Sequence, residues 1–145
     1  MRPFGFTLVE MLIVLALTML LFGVISTIAT NTHPKIQLRA ETEVVVQTLR
    51  HAQAWTLAQK QDSTWGVYRT ASDITLFVGS SYATRDPLYD QVHLFPSGIT
   101  TSGLTEVVFD LLRGTTSNTG NIVLTSTATS ESYTISVNAN GVIDY

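Results

Sequence analysis

The sequence predicts an α+β protein in which a long N-terminal helix packs on an antiparallel β-sheet or a sandwich-like β head. An uncharged apolar run from Met11 to Ala29 and a stretch after Lys35 with helical spacing of its apolar residues indicate the helix. Past Asp62 the pattern changes to short apolar segments separated by Gly, Pro and Asn, which is typical of strands joined by turns. A chain of 145 residues suits one such domain.

The N-terminal apolar run carries one acid close to its start. Glu10 follows shortly after Gly5, and the next charged residue is Lys35. As an α-helix, the run from Met11 to Ala29 spans about 28 Å, close to the roughly 30 Å hydrocarbon core of a bilayer. Arg2 precedes it, which predicts a single-pass segment with its N-terminus in the cytoplasm. Because an ionised carboxylate in lipid costs about 2.5–3.5 kcal/mol, Glu10 requires a partner, and we expect a positive charge on another molecule.

Two simpler interpretations of this segment are an ordinary secretory signal peptide and a plain membrane anchor. A secretory signal is cut after a small-residue site, for which Thr27-Ile28-Ala29 is a poor match. The length of the apolar run and the presence of Glu10 both argue against that interpretation. A plain anchor would leave the acid without a role.

The residues Gly5-Phe6-Thr7-Leu8-Val9-Glu10 resemble the type IV prepilin signature, in which a short leader ends in Gly before an aromatic residue, Thr-Leu-Val-Glu and an apolar run. The resemblance implies that a prepilin peptidase/N-methyltransferase cuts between Gly5 and Phe6 and methylates the new amine of Phe6. It also implies that Glu10 pairs with the terminal amine of a neighbouring subunit during assembly. Removing one partner of a buried ion pair typically costs about 3–5 kcal/mol, so this pair would fix the register of assembly.

A second helical stretch follows the sequence Asn31-Thr32-His33-Pro34. Pro34 lacks an N–H and disfavours helix at the residue before it, so it either kinks one long helix or begins another. The apolar residues after it form one stripe, whereas Glu41 and Glu43 are predicted on the solvated side with Arg50 and Lys60. The residues of the stripe are Leu38, Val45, Leu49 and Ala52.

Seven short strands are predicted in the remaining chain. The polar segment from Thr125 to Ser132 is predicted to be a hairpin loop, and breakers such as Pro96-Ser97-Gly98 and Asn138-Ala139-Asn140-Gly141 separate the strands. The predicted strands are Trp65–Tyr68, Ile74–Val78, Val92–Phe95, Val107–Leu111, Ile122–Leu124, Tyr133–Val137 and Val142–Ile143.

The head is similar to the GspH/FimT branch of minor pilins and pseudopilins. The segments that carry this similarity are Leu49–Ala54, Phe95–Ile99, Val107–Phe109 and Val137–Ile143. The branch implies a pilin fold, with a long helix and a sandwich-like head. Its DNA-uptake members need cationic residues near the C-terminus, but this chain has no Lys or Arg after Arg113.

Composition excludes several function classes. The chain has no cysteine, which excludes disulfides, thiolate zinc sites and cysteine nucleophiles. Six acids and one base follow Arg85, the wrong sign for a nucleic-acid interface. No hydrolase, zinc-protease or nucleotide-binding motif is present, and His33, His51 and His93 are far apart in sequence. We therefore expect no enzyme activity, no cofactor, no metal site and no nucleic-acid partner.

The predicted function is that of a structural, minor subunit of a type IV pilus or a type II secretion pseudopilus. The alternative is a filament-tip pilin that binds a ligand or an adhesion target. The implied partners are other pilin or pseudopilin subunits, prepilin peptidase, the bacterial cytoplasmic membrane and the inner-membrane assembly platform, and the product is a cell-surface or periplasmic filament. The predicted divisions are a leader (1–5), a membrane and filament-core helix (6–33), an amphipathic helix (34–62) and a β head (63–145).

Overall fold

In a computed structural model of the chain, residues 6–145 are described, without the side chains of residues 23–32. One long helix, α1, runs from Leu8 to Leu57 and continues through Pro34. Eight strands and three short 3-10 turns follow it. The strands are β1 (Trp65–Arg69), β2 (Asp73–Val78), β3 (Gln91–Leu94), β4 (Ile99–Gly103), β5 (Glu106–Val108), β6 (Gly120–Ser126), β7 (Ser132–Val137) and β8 (Ile143–Asp144).

The strands form two antiparallel sheets of four, which confirms the predicted α+β class with a long helix and an antiparallel head. The first sheet has the order β3-β2-β1-β5, and the second has the order β4-β6-β7-β8. Each of the seven predicted strands is present with shifted ends. The strand β4 was not predicted, because its sequence of Ile, Thr, Thr, Ser and Gly lacks an apolar run.

A single hydrophobic core lies between α1 and the inner faces of both sheets. The predicted stripe of α1 is fully buried in it, because the helical spacing of its residues places them on one face. The largest side chains that the head contributes to this core are Trp65, Phe109, Ile74, Ile122, Leu124 and Ile135. This core holds the second half of α1 to the head, and so fixes the direction in which the first half leaves it.

Polar contacts fasten the helix to the head around this core. The side-chain amide of Gln53 donates to the carbonyl oxygens of Gly114 (2.8 Å) and Gly141 (3.0 Å), and Gly141 ends one of the predicted breaks between strands. At the end of α1, the hydroxyl of Thr56 accepts a hydrogen bond from the backbone N–H of Trp65 at 2.8 Å. Lys35 forms an ion pair with Glu131 in the β6–β7 loop, and this hydrogen-bonded carboxylate raises the pKa of the Lys35 ammonium group. The head therefore contacts α1 from Lys35 to Thr56.

A buried guanidinium joins the two sheets. Arg69, at the end of β1, donates to the carbonyl oxygens of Thr101 (3.0 Å), Gly103 (2.6 Å) and Leu104 (3.0 Å). Burial lowers the pKa of this guanidinium. The planar fork of arginine suits several acceptors at once, so one side chain satisfies the carbonyl groups along the end of β4.

Replacing this arginine is expected to weaken the head. In Arg69→Lys a single ammonium cannot reach all three carbonyls, so buried acceptors lose their donors. We expect the free energy of unfolding to fall by about 1–3 kcal/mol, measured by chemical denaturation of the detergent-solubilised chain. Arg50→Lys, at an exposed position on α1, is the matched control and should change it by less than about 0.5 kcal/mol. Equal effects of the two substitutions would contradict the role assigned to Arg69.

The loop between β2 and β3 covers the outer face of the first sheet. Tyr82 stacks on Tyr68 with ring centroids 3.8 Å apart and packs edge-on against Phe77 at 5.6 Å. The guanidinium of Arg85 lies 3.6 Å from the centroid of the Tyr82 ring and pairs with Asp90 at 2.8 Å. The hydrogen bond to Asp90 raises the pKa of the Arg85 guanidinium. This layer buries Phe77 outside the main core and holds the loop that leads into β3.

Candidate functional site

The candidate site is the N-terminal segment from Phe6 to Phe22, which we call the assembly segment. It includes two of the three residues predicted from the prepilin signature, Phe6 and Glu10. The third, Gly5, lies outside the described residues, as does the predicted leader to which it belongs.

Local hydrogen bonding explains why the helix begins where it does. Thr7 is the N-cap residue, with an extended backbone (φ −79°, ψ 152°), and its hydroxyl accepts the backbone N–H of Glu10 at 3.3 Å. Thr7 and Glu10 have the spacing of a capping box, and an acid in the first turn interacts favourably with the helix dipole. Sequence reasoning missed this role, although the Thr-x-x-Glu spacing was visible. Glu10 thus helps to stabilise the N-terminus of α1, in addition to the assembly role that the prepilin signature implies.

The assembly segment does not pack on the head. Every residue from 6 to 22 is exposed, and Phe6 is 76% exposed, although most of these residues are apolar. By contrast, the same helix buries one face completely between Leu38 and Thr56. A helix that is apolar all round is stable only in lipid or among other apolar helices. The segment therefore requires an environment that the described head does not supply.

Glu10 is the only charged residue of the assembly segment. Its side chain is exposed, and within the described part of the chain it forms no ion pair. No Lys or Arg lies between Phe6 and Phe22, so the segment cannot neutralise its own acid through a side chain. A cation for Glu10 must therefore come from outside the assembly segment.

No helix among the described residues contains a stretch that is both long and apolar enough to cross a membrane. The predicted membrane run from Met11 to Ala29 extends into residues 23–29, whose side chains lie outside the described residues.

A cleft of about 500 Å³ in the head is lined in part by Thr116 and Asn118, whose polar side-chain groups are already hydrogen-bonded. The hydroxyl of Thr116 donates to the carbonyl of Val108 at 2.7 Å, and the amide oxygen of Asn118 accepts the N–H of Val108 at 3.4 Å. These side chains complete the hydrogen bonding of β5. The cleft is therefore better explained as the boundary of a sheet edge than as a ligand site.

The histidines have local partners. His93 contacts Glu41 through Nε2 at 2.7 Å, and His51 stacks on Trp55 with ring centroids 5.9 Å apart. Among the described residues, no three metal-binding side chains converge on one point. The prediction that Glu41 lies on the solvated side was wrong, since its side chain is only 14% exposed. The reason is that β3 passes beside α1 there, a pairing that no local sequence signal reports.

Models of known protein families match both the N-terminal segment and the head of the chain. The model of the prokaryotic N-terminal methylation motif matches residues 1–29, and the model of the type II transport protein GspH matches residues 35–141. No curated protein and no solved structure matches the chain. Proteins of these families are structural subunits that are processed by prepilin peptidase and assemble with other subunits. The second match covers most of the chain, so the chain belongs to the type IV pilin and pseudopilin family, with a prepilin-type N-terminus and a GspH-type head.

Proposed function

We propose that this protein is a minor structural subunit of a type IV pilus or a type II secretion pseudopilus. The observation that carries the proposal is the contrast within α1. Its second half is packed into the head, whereas the assembly segment is exposed, apolar and marked by one acid that forms no ion pair with the residues that the structure describes. A free-standing domain gains nothing from such a segment. A filament subunit uses it first as an anchor and then as the part that bundles with other copies.

In the proposed cycle, prepilin peptidase cuts between Gly5 and Phe6, and the amine of Phe6 is methylated and keeps its charge. The first half of α1 then holds the subunit in the bacterial cytoplasmic membrane, with the N-terminus in the cytoplasm and the head outside. The assembly platform moves the subunit into a helical filament on the cell surface or in the periplasm. In the filament, the carboxylate of Glu10 pairs with the Phe6 amine of an adjacent subunit.

The division of the chain follows the same proposal. Residues 1–5 form the leader, residues 6–33 the membrane and filament-core part, residues 34–62 the amphipathic part and residues 63–145 the head. We propose no catalytic activity, because the role of Glu10 is to be neutralised and not to transfer a proton. No nucleic acid is proposed as a partner, because the region after Arg85 is acidic.

Processing is tested by mass spectrometry of the protein extracted from membranes. We expect a mature chain that starts at methylated Phe6, because the apolar run is retained when the leader is removed. Gly5→Val, which adds bulk at the bond to be cut, should leave Met1 in place, whereas Phe4→Ala should be processed normally. A wild-type chain that keeps Met1, or one that starts at Thr30, would refute the proposed processing.

A further inference from the structure

The edges of a sheet expose backbone N–H and C=O groups that can pair with another chain. Two of the four edges here, β5 and β4, have outward groups that this chain itself binds. On β5, both outward groups of Val108 are bound by Thr116 and Asn118. On β4, the N–H of Thr101 donates to the carbonyl of Ala71 at 3.3 Å, and Arg69 binds the outward carbonyls. The remaining edge of the second sheet, β8, is only two residues long.

The strand β3 forms the fourth edge, and the register shows which of its groups point outward. Phe95 donates its backbone N–H to Ser72 at 2.8 Å, and the pairing continues with Ile74 opposite His93 and Leu76 opposite Gln91. Since hydrogen-bonded pairs alternate along an antiparallel ladder, His93 and Gln91 bond to β2. The N–H and C=O groups of Val92 and Leu94 therefore point away from the sheet.

The side chains of the same two residues are exposed apolar groups. Val92 is 58% exposed and Leu94 is 71% exposed, and Leu88 in the preceding turn is 81% exposed. Val92 and Leu94 lie on the face opposite His93, which contacts α1 through Glu41. Proteins usually protect such an edge with a lysine, a proline or a bulge, and β3 has none of these in its sequence, Gln-Val-His-Leu. Its outward groups and side chains match what an added strand would need.

The inner side of this edge also has room for a visiting side chain. A cleft of about 220 Å³ lies between α1 and the strands β2 and β3, with Thr48 and His51 on the helix side and Ile74 and Leu76 on the sheet side. A strand placed beside β3 alternates its side chains between the two faces of the sheet. One set would therefore lie on Val92 and Leu94, and the other would enter the mouth of this cleft.

The charges around β3 indicate what kind of strand fits. Glu41 contacts His93, Asp73 is opposite Leu94 in the register, and Asp86 and Asp90 lie in the segment that leads into the strand. The guanidinium of Arg85 is already paired with Asp90. Antiparallel pairing of β3 with β3 of a second copy would bring these carboxylates together across a two-fold axis, where like charges repel. A partner with basic residues avoids that repulsion.

We propose that β3 is a docking edge for an extended segment of a different protein, which adds to the first sheet as a fifth strand. The segment alternates apolar side chains and carries Lys or Arg beside them. Backbone hydrogen bonds to Val92 and Leu94 hold it, and the surrounding carboxylates select for its charge. This inference does not depend on the proposed function, because it concerns the head alone.

The test uses the full-length protein in detergent and a short fluorescent peptide that alternates valine and threonine and has a lysine at each end. We expect saturable binding by fluorescence anisotropy. Binding should fall about tenfold or more when the peptide amides on one edge are N-methylated, and also in Val92→Pro, because each change removes an intermolecular hydrogen bond. Val92→Pro leaves the bonds between β2 and β3 intact, since the N–H it deletes points outward. A peptide with glutamate at both ends should bind more weakly than the lysine peptide.

A second variant, Leu94→Lys, keeps all backbone hydrogen-bonding groups of β3 and repels the basic peptide, so it should also weaken binding. It replaces Val92→Pro as the test if a thermal melt shows that Val92→Pro is unstable. Absence of binding by the lysine peptide would overturn the proposal. Equal binding by the N-methylated peptide would overturn it as well, because the contact would then not be a strand addition. Concentration-dependent dimerisation of the wild-type protein that Leu94→Lys abolishes would also overturn the proposal. The occupant of the β3 edge would then be a second copy of this chain and not a different protein.

Discussion

Glu10→Leu is expected to abolish incorporation into filaments while leaving the protein processed and folded. The substitution leaves the charged amine of a neighbouring subunit without a partner in an apolar environment, and breaking one half of such a pair typically costs about 3–5 kcal/mol. That corresponds to a loss of roughly 10²- to 10⁴-fold in the assembly equilibrium. The measurement is the amount of subunit in sheared filaments relative to the amount in the membrane, with the N-terminus checked by mass spectrometry.

Two control variants separate assembly from helix capping. Thr7→Ala removes the hydroxyl that caps α1, which typically costs about 0.5–2 kcal/mol, but leaves the carboxylate of Glu10 in place. Glu10→Asp keeps the charge on a shorter side chain. Both variants should retain more incorporation than Glu10→Leu. If Thr7→Ala fails as completely as Glu10→Leu, the acid acts mainly through the start of the helix, and the proposed intersubunit pair is not needed.

Gly141→Ala is expected to loosen the head from the helix. Gly141 has φ of +75°, and an added Cβ would lie 2.0 Å from the carbonyl oxygen of Gly114 and 2.5 Å from Nε2 of Gln53. The left-handed backbone costs a non-glycine residue about 1–2 kcal/mol, and displacement of the turn breaks the Gln53 hydrogen bonds at about 1 kcal/mol each. We expect the free energy of unfolding to fall by about 3 kcal/mol, as measured by chemical denaturation.

The matched control for this substitution is Gly98→Ala. Gly98 also has a positive φ, of +111°, but the nearest atom to an added Cβ is the hydroxyl oxygen of Thr127 at 3.7 Å. This variant should lose only the cost of the backbone conformation. Similar losses at the two positions would show that the packing of the Gly141 turn against Gln53 contributes little to stability.

The elements of the fold that have a local signal were predictable. The stripe beginning with Leu38 predicted the buried face of α1, and alternating apolar residues predicted seven of the strands. β4 lacks that signal, because its stability comes from hydrogen bonds to β6 and from the guanidinium of Arg69. The effect of Pro34 could not be decided locally either; the helix continues through it, and the packing of the following turns on the head supports that continuation.

The candidate site could be proposed from the sequence for a different reason. Gly5, Phe6 and Glu10 are close together in a signature that fixes residue types at adjacent positions, so no tertiary information is needed to find them. The contacts of His93 with Glu41 and of Gln53 with Gly141 join residues far apart in the chain. Single polar residues in a helical pattern give no indication of such partners. The outward register of β3 likewise depends on its pairing with β2.

The proposed pair between Glu10 and the Phe6 amine can be tested by chemical cross-linking in assembled filaments. A hydrophobic carbodiimide joins a carboxylate to an amine that contacts it, and filaments made from a mixture of ¹⁴N- and ¹⁵N-labelled subunits distinguish bonds between copies from bonds within one copy. We predict an amide between Glu10 and Phe6 in peptides that combine the two labels. Cross-linked peptides of uniform label only, or none at all between these residues, would contradict the pairing on which the proposed assembly depends.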